Sequence, residues 1–213
     1  FIMIYATNYL SHAFPPLFLL LIFFYRDKFK EPIRYVFASF FLGVAIIYPL
    51  DYLIIIADYF GDNYFYNEIL FLLYNSFFRA AFLEEGLKFF IIFFFCSKLI
   101  DFNEKYDALL YSAAVGLGYA GIENIDYFQI YGLEMSERLT PLFAHLGFAL
   151  IMGLFLSKAI FNNLNKKLSI FLSLFIPVFL HGLHNFVLDL QYYYYGNFFY
   201  YFWIIYIAVI IVF

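Results

Sequence analysis

Charged residues are scarce in this chain. They make up 13% of its 213 residues, whereas soluble domains contain about 25%. Hydrophobic residues make up 66% of the chain, and its mean hydropathy is +0.84. So few charges cannot cover a water-exposed surface, which excludes an ordinary soluble domain. We therefore expect an integral, multi-pass membrane protein that has the lipid bilayer as its surroundings.

Cysteine and clustered basic residues are also nearly absent. Cys96 is the single cysteine, so the chain has no disulfide framework. The net charge is −4 and no basic stripe is present, so we expect no nucleic-acid partner. No Gly- or Ser-rich linker divides the sequence, and residues 1–213 are predicted to form a single membrane-embedded domain.

Seven apolar segments are separated by short polar clusters. They lie at 3–25, 33–57, 66–99, 106–131, 139–161, 168–190 and 197–213. A helix crosses the hydrocarbon core with about 20 apolar residues, and continuous apolar runs lack the alternation of barrel strands. The sequence therefore predicts an all-α fold, a polytopic transmembrane helix bundle with about seven spans.

Basic residues are unequally shared among the six connections between these segments. The first, third and fifth connections hold nine Lys and Arg residues, and the other three hold only Arg138. Because basic loops stay on the cytoplasmic side, we expect the first, third and fifth connections to face the cytoplasm. The N-terminus is then expected outside.

Two adjacent glutamates, Glu84 and Glu85, lie within the third apolar segment, and Lys88 follows one helical turn later. A carboxylate at the centre of a membrane helix costs roughly 2.5–3.5 kcal/mol. Such residues usually serve a function, so the pair is the first candidate site. The alternative is a structural ion-pair network of the glutamates with Arg79 and Lys88.

Further polar residues on three other segments are predicted to reach overlapping depths. They are Glu123 and Asn124 on the fourth segment, His145 on the fifth, and His181, His184 and Asn185 on the sixth. At about 1.5 Å per residue, they fall in the outer half of the membrane or near its middle. Carboxylates and imidazoles in a low-dielectric cavity favour hydrolysis, in which a Glu takes a proton from water and a His donates one.

The same residue types are also compatible with other mechanisms and functions. Glu85, Glu123, His145 and His181 are suitable ligands for a zinc ion that activates water. The H-E-x-x-H motif is absent, so the metal-free route without a cofactor is favoured and zinc is the alternative. A proton- or cation-coupled transporter and a non-catalytic membrane scaffold are the other two alternatives.

Small residues cluster on the fourth segment. Gly116, Gly118 and Gly121 lie in it together with several alanines. Small side chains let membrane helices approach closely. The sequence therefore predicts that this segment packs tightly against its neighbours.

The polar motifs together resemble those of the PrsW family of intramembrane proteases. EEGLK at 84–88 resembles the family's E-E-x-x-K motif, and YAGIEN at 119–124 resembles F-x-x-x-E-N, with Tyr in place of Phe. The segment 138–153 is similar to its His-bearing helix, and HGLHN at 181–185 resembles H-G-x-x-N. The four elements occur in the family's order, and the resemblance covers nearly the whole chain.

The resemblance implies a membrane-embedded protease that is distantly related to the CAAX prenyl protease superfamily. It implies a single-pass membrane protein as substrate, such as an anti-sigma factor, cut near the extracytoplasmic face of a bacterial cytoplasmic membrane. The residues that it marks as catalytic are Glu84, Glu85, His145 and His181. The residues expected to support them are Lys88, Glu123, Asn124 and Asn185.

Overall fold

The computed structural model describes the backbone of residues 2–162 and 165–194, and the side chains of 9–162 and 165–190. The α-helices are α1 (Ile2–Arg26), α2 (Ile33–Ala45), α3 (Ile47–Tyr64), α4 (Glu68–Leu73), α5 (Leu83–Phe94), α6 (Lys105–Tyr131), α7 (Met135–Phe161) and α8 (Lys166–Tyr194). A π-helix, Tyr74–Phe82, joins α4 to α5, and a 3₁₀ turn, Cys96–Lys98, follows α5. No strand occurs in the described ranges, so the predicted all-α fold is confirmed.

The predicted number of seven spans is not confirmed. Within the part of the chain that the structure describes, four helical stretches are long and apolar enough to cross a membrane. They are Tyr9–Arg26, Ile33–Tyr64, Met135–Phe161 and Lys166–Leu190. The seventh predicted segment, 197–213, lies outside the described residues.

The third and fourth predicted segments are helical, but neither is among the four stretches that are long and apolar enough to cross a membrane. The reason differs between the two. The third is divided among α4, the π-helix, α5 and the 3₁₀ turn. The fourth corresponds to α6, in which 16 of 27 residues are buried. A helix that faces other helices rather than lipid needs no continuous apolar surface. Helix α6 is therefore the centre of the bundle.

Close packing around α6 depends on glycine, as the sequence predicted. A Cβ atom on Gly118 would lie 2.0 Å from the carbonyl oxygen of Phe40 in α2. A Cβ atom on Gly43 of α2 would lie 2.2 Å from the carbonyl oxygen of Val115. Two backbones can approach this closely only where no side chain separates them. Helices α2 and α6 are thus held in direct backbone contact.

The three basic connections meet at one end of the bundle. The Tyr106 hydroxyl at the start of α6 donates to the carbonyl oxygen of Phe23 near the end of α1, at 2.8 Å. Phe102 in the third connection stacks on Phe161 at the end of α7, with ring centroids 5.8 Å apart. The first, third and fifth connections therefore share one end, in agreement with the alternation of charge along the sequence. That this end faces the cytoplasm stays a prediction.

Glu31 links the first of these connections to α6 by a hydrogen bond. Its carboxylate Oε2 accepts a hydrogen bond from the Tyr111 hydroxyl at 2.5 Å. Burial raises the pKa of Glu31 to about 7, because desolvation outweighs the hydrogen bond from Tyr111 that lowers the pKa. The nearby carboxylates of Asp107, Asp101 and Asp27 raise it further.

Candidate active site

The two glutamates lie directly after the π-helix, in the first turn of α5. Glu84 is 7% exposed, and Glu85 and Lys88 are completely buried. A π-helix widens the turn, and such segments often occur at functional sites. Neighbours on a regular α-helix point about 100° apart, yet both of these carboxylates approach the ring of His181.

Glu85 is anchored by two partners through a single oxygen. Its Oε1 accepts a hydrogen bond from Lys88 Nζ at 2.7 Å and lies 3.0 Å from His181 Nδ1. An ionised carboxylate can only accept, so His181 Nδ1 carries the proton that it donates to Glu85. His181 Nε2 is then the nitrogen with a free lone pair, and it lies 3.9 Å from Glu84 Oε2.

His145 is the second imidazole of the cluster. Its Nδ1 lies 3.0 Å from Lys88 Nζ, and its Nε2 lies 3.1 Å from Glu123 Oε2. The ring centroids of His145 and His181 are 5.2 Å apart. The Lys88 ammonium also lies over the Tyr119 ring, 4.3 Å from its centroid. A continuous chain of polar contacts thus runs from Glu123 through His145, Lys88 and Glu85 to His181.

The turn between α6 and α7 brings Glu123 next to Arg138, a contact that sequence reasoning missed. Gly132 ends α6 in the left-handed region, with φ of 70°. Glu134 and Glu137 then form a capping box that starts α7. The two helices run back antiparallel, so residues 123 and 138 face each other. The sequence signal was the short polar turn at 132–134, which allows this pairing.

Arg138 binds the last two residues of the YAGIEN motif. Its Nη2 donates to Glu123 Oε2, and its Nε donates to Asn124 Oδ1 at 3.0 Å. Asn124 is buried, and Nδ2 of its amide contacts Met135 Sδ at 3.7 Å. Glu123 and Asn124 therefore join α6 to α7, and Glu123 also contacts His145.

Packing between α8 and the π-helix fixes the position of His181. A Cβ atom on Gly182 would lie 2.4 Å from the ring of Phe77, so the glycine leaves room for that ring. The Ser76 hydroxyl donates to Asp189 Oδ2 at 2.9 Å. The ring of Phe148 stacks on His181 with centroids 5.1 Å apart. His181 is thereby held against α5 and α7.

A cavity of about 510 Å³ adjoins the cluster. Its lining includes Glu84, Glu123, His145, His181 and Asn185. The completely buried Glu85 is not among the described residues that line it. Glu84 therefore faces the cavity, whereas Glu85 is enclosed among protein side chains.

Two features of the cluster fit a bound metal ion. Potential ligand atoms of Glu84, Glu85, His145 and His181 all lie within 4.8 Å of one another. Glu84 Oε2 and Glu85 Oε2 are buried without a hydrogen-bond partner among the described residues. Carboxylate oxygen and imidazole nitrogen are ordinary zinc ligands. The zinc set expected from the sequence contained Glu123 in place of Glu84; here Glu123 contacts Arg138 and His145 instead.

Comparisons with known proteins agree with the motif pattern. Residues 31–212 match the model of the family described as PrsW family intramembrane metalloprotease. Protease PrsW of Oceanobacillus iheyensis is 33% identical over 176 residues, which are 82% of this chain and 79% of the relative. Protease PrsW of Bacillus subtilis is 34% identical over 180 residues, with the same two shares.

A third relative, Protease PrsW of Geobacillus kaustophilus, is 32% identical over 177 residues, or 82% of this chain and 76% of the relative. No solved structure matches the chain. Family model, relatives and apolar helices agree that this is an integral membrane protein. The chain belongs to the PrsW family of intramembrane proteases, and it is a membrane protease.

Proposed function

We propose that this protein hydrolyses a peptide bond of a single-pass membrane protein, with Glu84, Glu85, His145 and His181 as its catalytic residues. The observation that carries the proposal is the pair of buried, unpartnered carboxylate oxygens, Glu84 Oε2 and Glu85 Oε2, beside two imidazoles. Buried acceptors without partners are costly in a folded protein. A site that binds water and substrate gives them partners.

Glu84 is the proposed base. It lines the cavity, and its Oε2 lies 3.9 Å from His181 Nε2, a gap that one water molecule can bridge. Glu84 Oε2 accepts a proton as this water attacks the scissile carbonyl. Glu85 holds His181 through Nδ1, as a carboxylate orients the histidine of a catalytic triad. Glu84 passes this proton to the lone pair of His181 Nε2, which delivers it to the leaving amine as the C–N bond breaks, so that both side chains return to their starting states.

Lys88 is proposed to keep Glu85 ionised, and His145 is proposed to orient the Lys88 ammonium. The Lys88 ammonium lies 2.7 Å from Glu85 Oε1 and keeps that carboxylate ionised. His145 accepts from Lys88 at Nδ1 and fixes the direction of the ammonium group. These contacts leave Glu84 as the carboxylate of the pair that lines the cavity.

Zinc is the alternative cofactor. The ligands would come from Glu84, Glu85, His145 and His181. When bound, zinc lowers the pKa of a coordinated water and polarises the scissile carbonyl. In either case the proposed path of the substrate is the cavity lined by Glu84, His145 and His181, and Glu85 holds His181 from behind.

The depth of the centre supports cleavage near the extracytoplasmic face of a bacterial cytoplasmic membrane. His145 lies ten residues after Met135, or about 15 Å from the start of α7, but about 24 Å from its end at Phe161. The nearer end is the α6–α7 turn, which is expected outside. An anti-sigma factor with one membrane span is the substrate that the family resemblance implies.

Cleavage by the purified protein in lipid vesicles tests the proposal. A panel of single-pass substrates is incubated with it, and products are identified by mass spectrometry. We expect internal cleavage within or just outside the span. A panel left intact by correctly folded protein would contradict the proposal, and proton or cation flux without cleavage would support the transporter.

The same vesicles separate the two cofactor routes. Cleavage that resists chelation, in protein without bound metal, would eliminate the zinc route. Cleavage that stops on chelation and returns with added zinc would eliminate the metal-free route. Metal content by mass spectrometry accompanies both arms.

A further inference from the structure

We propose that Arg138 is a positioning residue: through Glu123 it fixes the tautomer of His145, so that Nδ1 of His145 faces the catalytic centre. The inference rests on the proposed function of that centre. Arg138 lies in the first turns of α7, beside the polar turn, where a basic residue is ordinarily a solvated loop charge. Here it is 7% exposed and faces the interior.

The guanidinium holds two side chains at once. Nη2 donates to Glu123 Oε2 and Nε donates to Asn124 Oδ1. Its carbon lies 3.9 Å from the centroid of the Tyr127 ring, which fixes the plane of the fork. Arginine can satisfy two acceptors in fixed directions, whereas lysine presents a single nitrogen. The position of Glu123 Oε2 is therefore set by Arg138.

The same carboxylate oxygen determines the tautomer of His145. Glu123 Oε2 lies 3.1 Å from His145 Nε2 and, as an ionised acceptor, requires the proton on that nitrogen. Nδ1 then has a free lone pair, and this is the atom that lies 3.0 Å from Lys88 Nζ. With Nδ1 as an acceptor, Lys88 points to both His145 and Glu85. In the zinc route the same lone pair would be available to the metal.

Without Arg138, Glu123 Oε2 loses a donor that holds it in place, keeps its contact with His145, and can turn toward the cavity that Glu123 lines. The Nε2 proton of His145 then loses its fixed acceptor, and the contact of Nδ1 with Lys88 is left to favour this tautomer, so the Nδ1–H form gains population. A group that orients a ligand or base in this way typically contributes about 10- to 100-fold in activity. Arg138 also lines the cavity, so the tautomer of His145, and not KM, is the readout that is specific to the positioning role.

The test compares R138M with R138K in the vesicle cleavage assay. We expect R138M to lower kcat by about 10- to 100-fold, and R138K to recover part of the loss. R34M is the matched control, because it makes the same substitution at an exposed arginine in the first turn of α2, away from the cavity. Equal losses of kcat in R138M and R34M would overturn the proposal.

A second readout does not depend on cleavage. The ¹⁵N spectrum of the imidazoles, with the His145 signals assigned by their loss in H145Q, reports which nitrogen carries the proton. We expect the Nε2–H form in the wild type and a mixture in R138M. Unchanged tautomers in R138M would overturn the proposal even if kcat falls. If no substrate is cut, the proposed function fails and the spectrum still decides the role of Arg138.

A third variant guards against misfolding of R138M. Asn124→Leu removes the acceptor of Arg138 Nε and leaves the buried charge pair with Glu123 in place. We expect a smaller shift of the tautomer in the same direction. A His145 spectrum identical to that of the wild type in both N124L and R138K would count against the proposal.

Discussion

Lys88 is a completely buried cation whose position depends on neighbouring side chains. Its ammonium lies between Glu85 Oε1 and His145 Nδ1 and above the Tyr119 ring. A buried ion pair adds little net stability over an apolar pair, yet loss of one partner leaves an uncompensated charge. The cluster is therefore most sensitive to changes that unbalance its charges.

This sensitivity predicts the behaviour of two isosteric variants. Lys88→Met leaves Glu85 without its cation and is expected to lower the free energy of unfolding by about 3–5 kcal/mol. Glu85→Gln combined with Lys88→Met removes both charges and is expected to be more stable than K88M alone. The double-mutant cycle is measured by unfolding the wild type, K88M, E85Q and the double variant in detergent. Strictly additive losses would contradict the coupling.

At the residue scale, sequence reasoning could indicate which polar residues lie close together but not all their contacts. Intramembrane Glu and His residues are rare and conspicuous, and the structure brings Glu84, Glu85, His145 and His181 together. Arg138 was counted as a loop charge, because its contact with Glu123 depends on the geometry of the intervening turn. Which of Glu84 and Glu85 lines the cavity depends on how α5 is rotated in the bundle, and apolar periodicity did not determine that rotation.

At the scale of elements, glycine contacts determine how the helices around the site pack. Gly118 on α6 touches the backbone of α2, while Gly147 on α7 has nothing within 4 Å of its would-be Cβ atom. Both lie within long helices, so alanine would improve helix propensity at either position by about 1 kcal/mol. The two positions therefore differ in packing and not in backbone preference.

We expect Gly118→Ala to be destabilising and Gly147→Ala to be neutral or stabilising. The new methyl group at 118 would lie 2.0 Å from the Phe40 carbonyl oxygen, and such overpacking costs about 1–3 kcal/mol. Thermal unfolding of both variants in detergent makes the comparison. Equal stability of G118A and G147A would show that α2 and α6 are not in rigid backbone contact.

The boundaries of the elements were only partly predictable. The second apolar segment was expected to end at residue 57, but the helix continues to Tyr64. Its last turns contain the polar residues Asp58, Asp62 and Asn63, so the end of the apolar run does not mark the end of the helix. The third was expected to run unbroken from 66 to 99 and instead contains the π-helix. Hydropathy records the apolar run and is insensitive to the hydrogen-bond register within it.

At the scale of the molecule, the bundle places a polar centre beside α6, its most buried helix. Helix α6 contributes Glu123 and Tyr119, and it carries too many small and polar residues to meet a hydropathy criterion for a span. This explains why a count of apolar runs and a count of lipid-compatible helices differ. Composition predicted the class of fold, whereas the interior position of α6 is seen only in how the helices pack.

The most direct test of whether this buried cluster performs the hydrolysis is the rate at which the Glu84→Gln variant cleaves a single-pass substrate in lipid vesicles. Asp62→Asn, which removes an exposed carboxylate at the end of α3, is the control. We expect E84Q to insert and fold but to cleave at least about 100-fold more slowly than the wild type, and D62N to cleave normally. Cleavage by folded E84Q at the wild-type rate would contradict the assignment of Glu84 as the base.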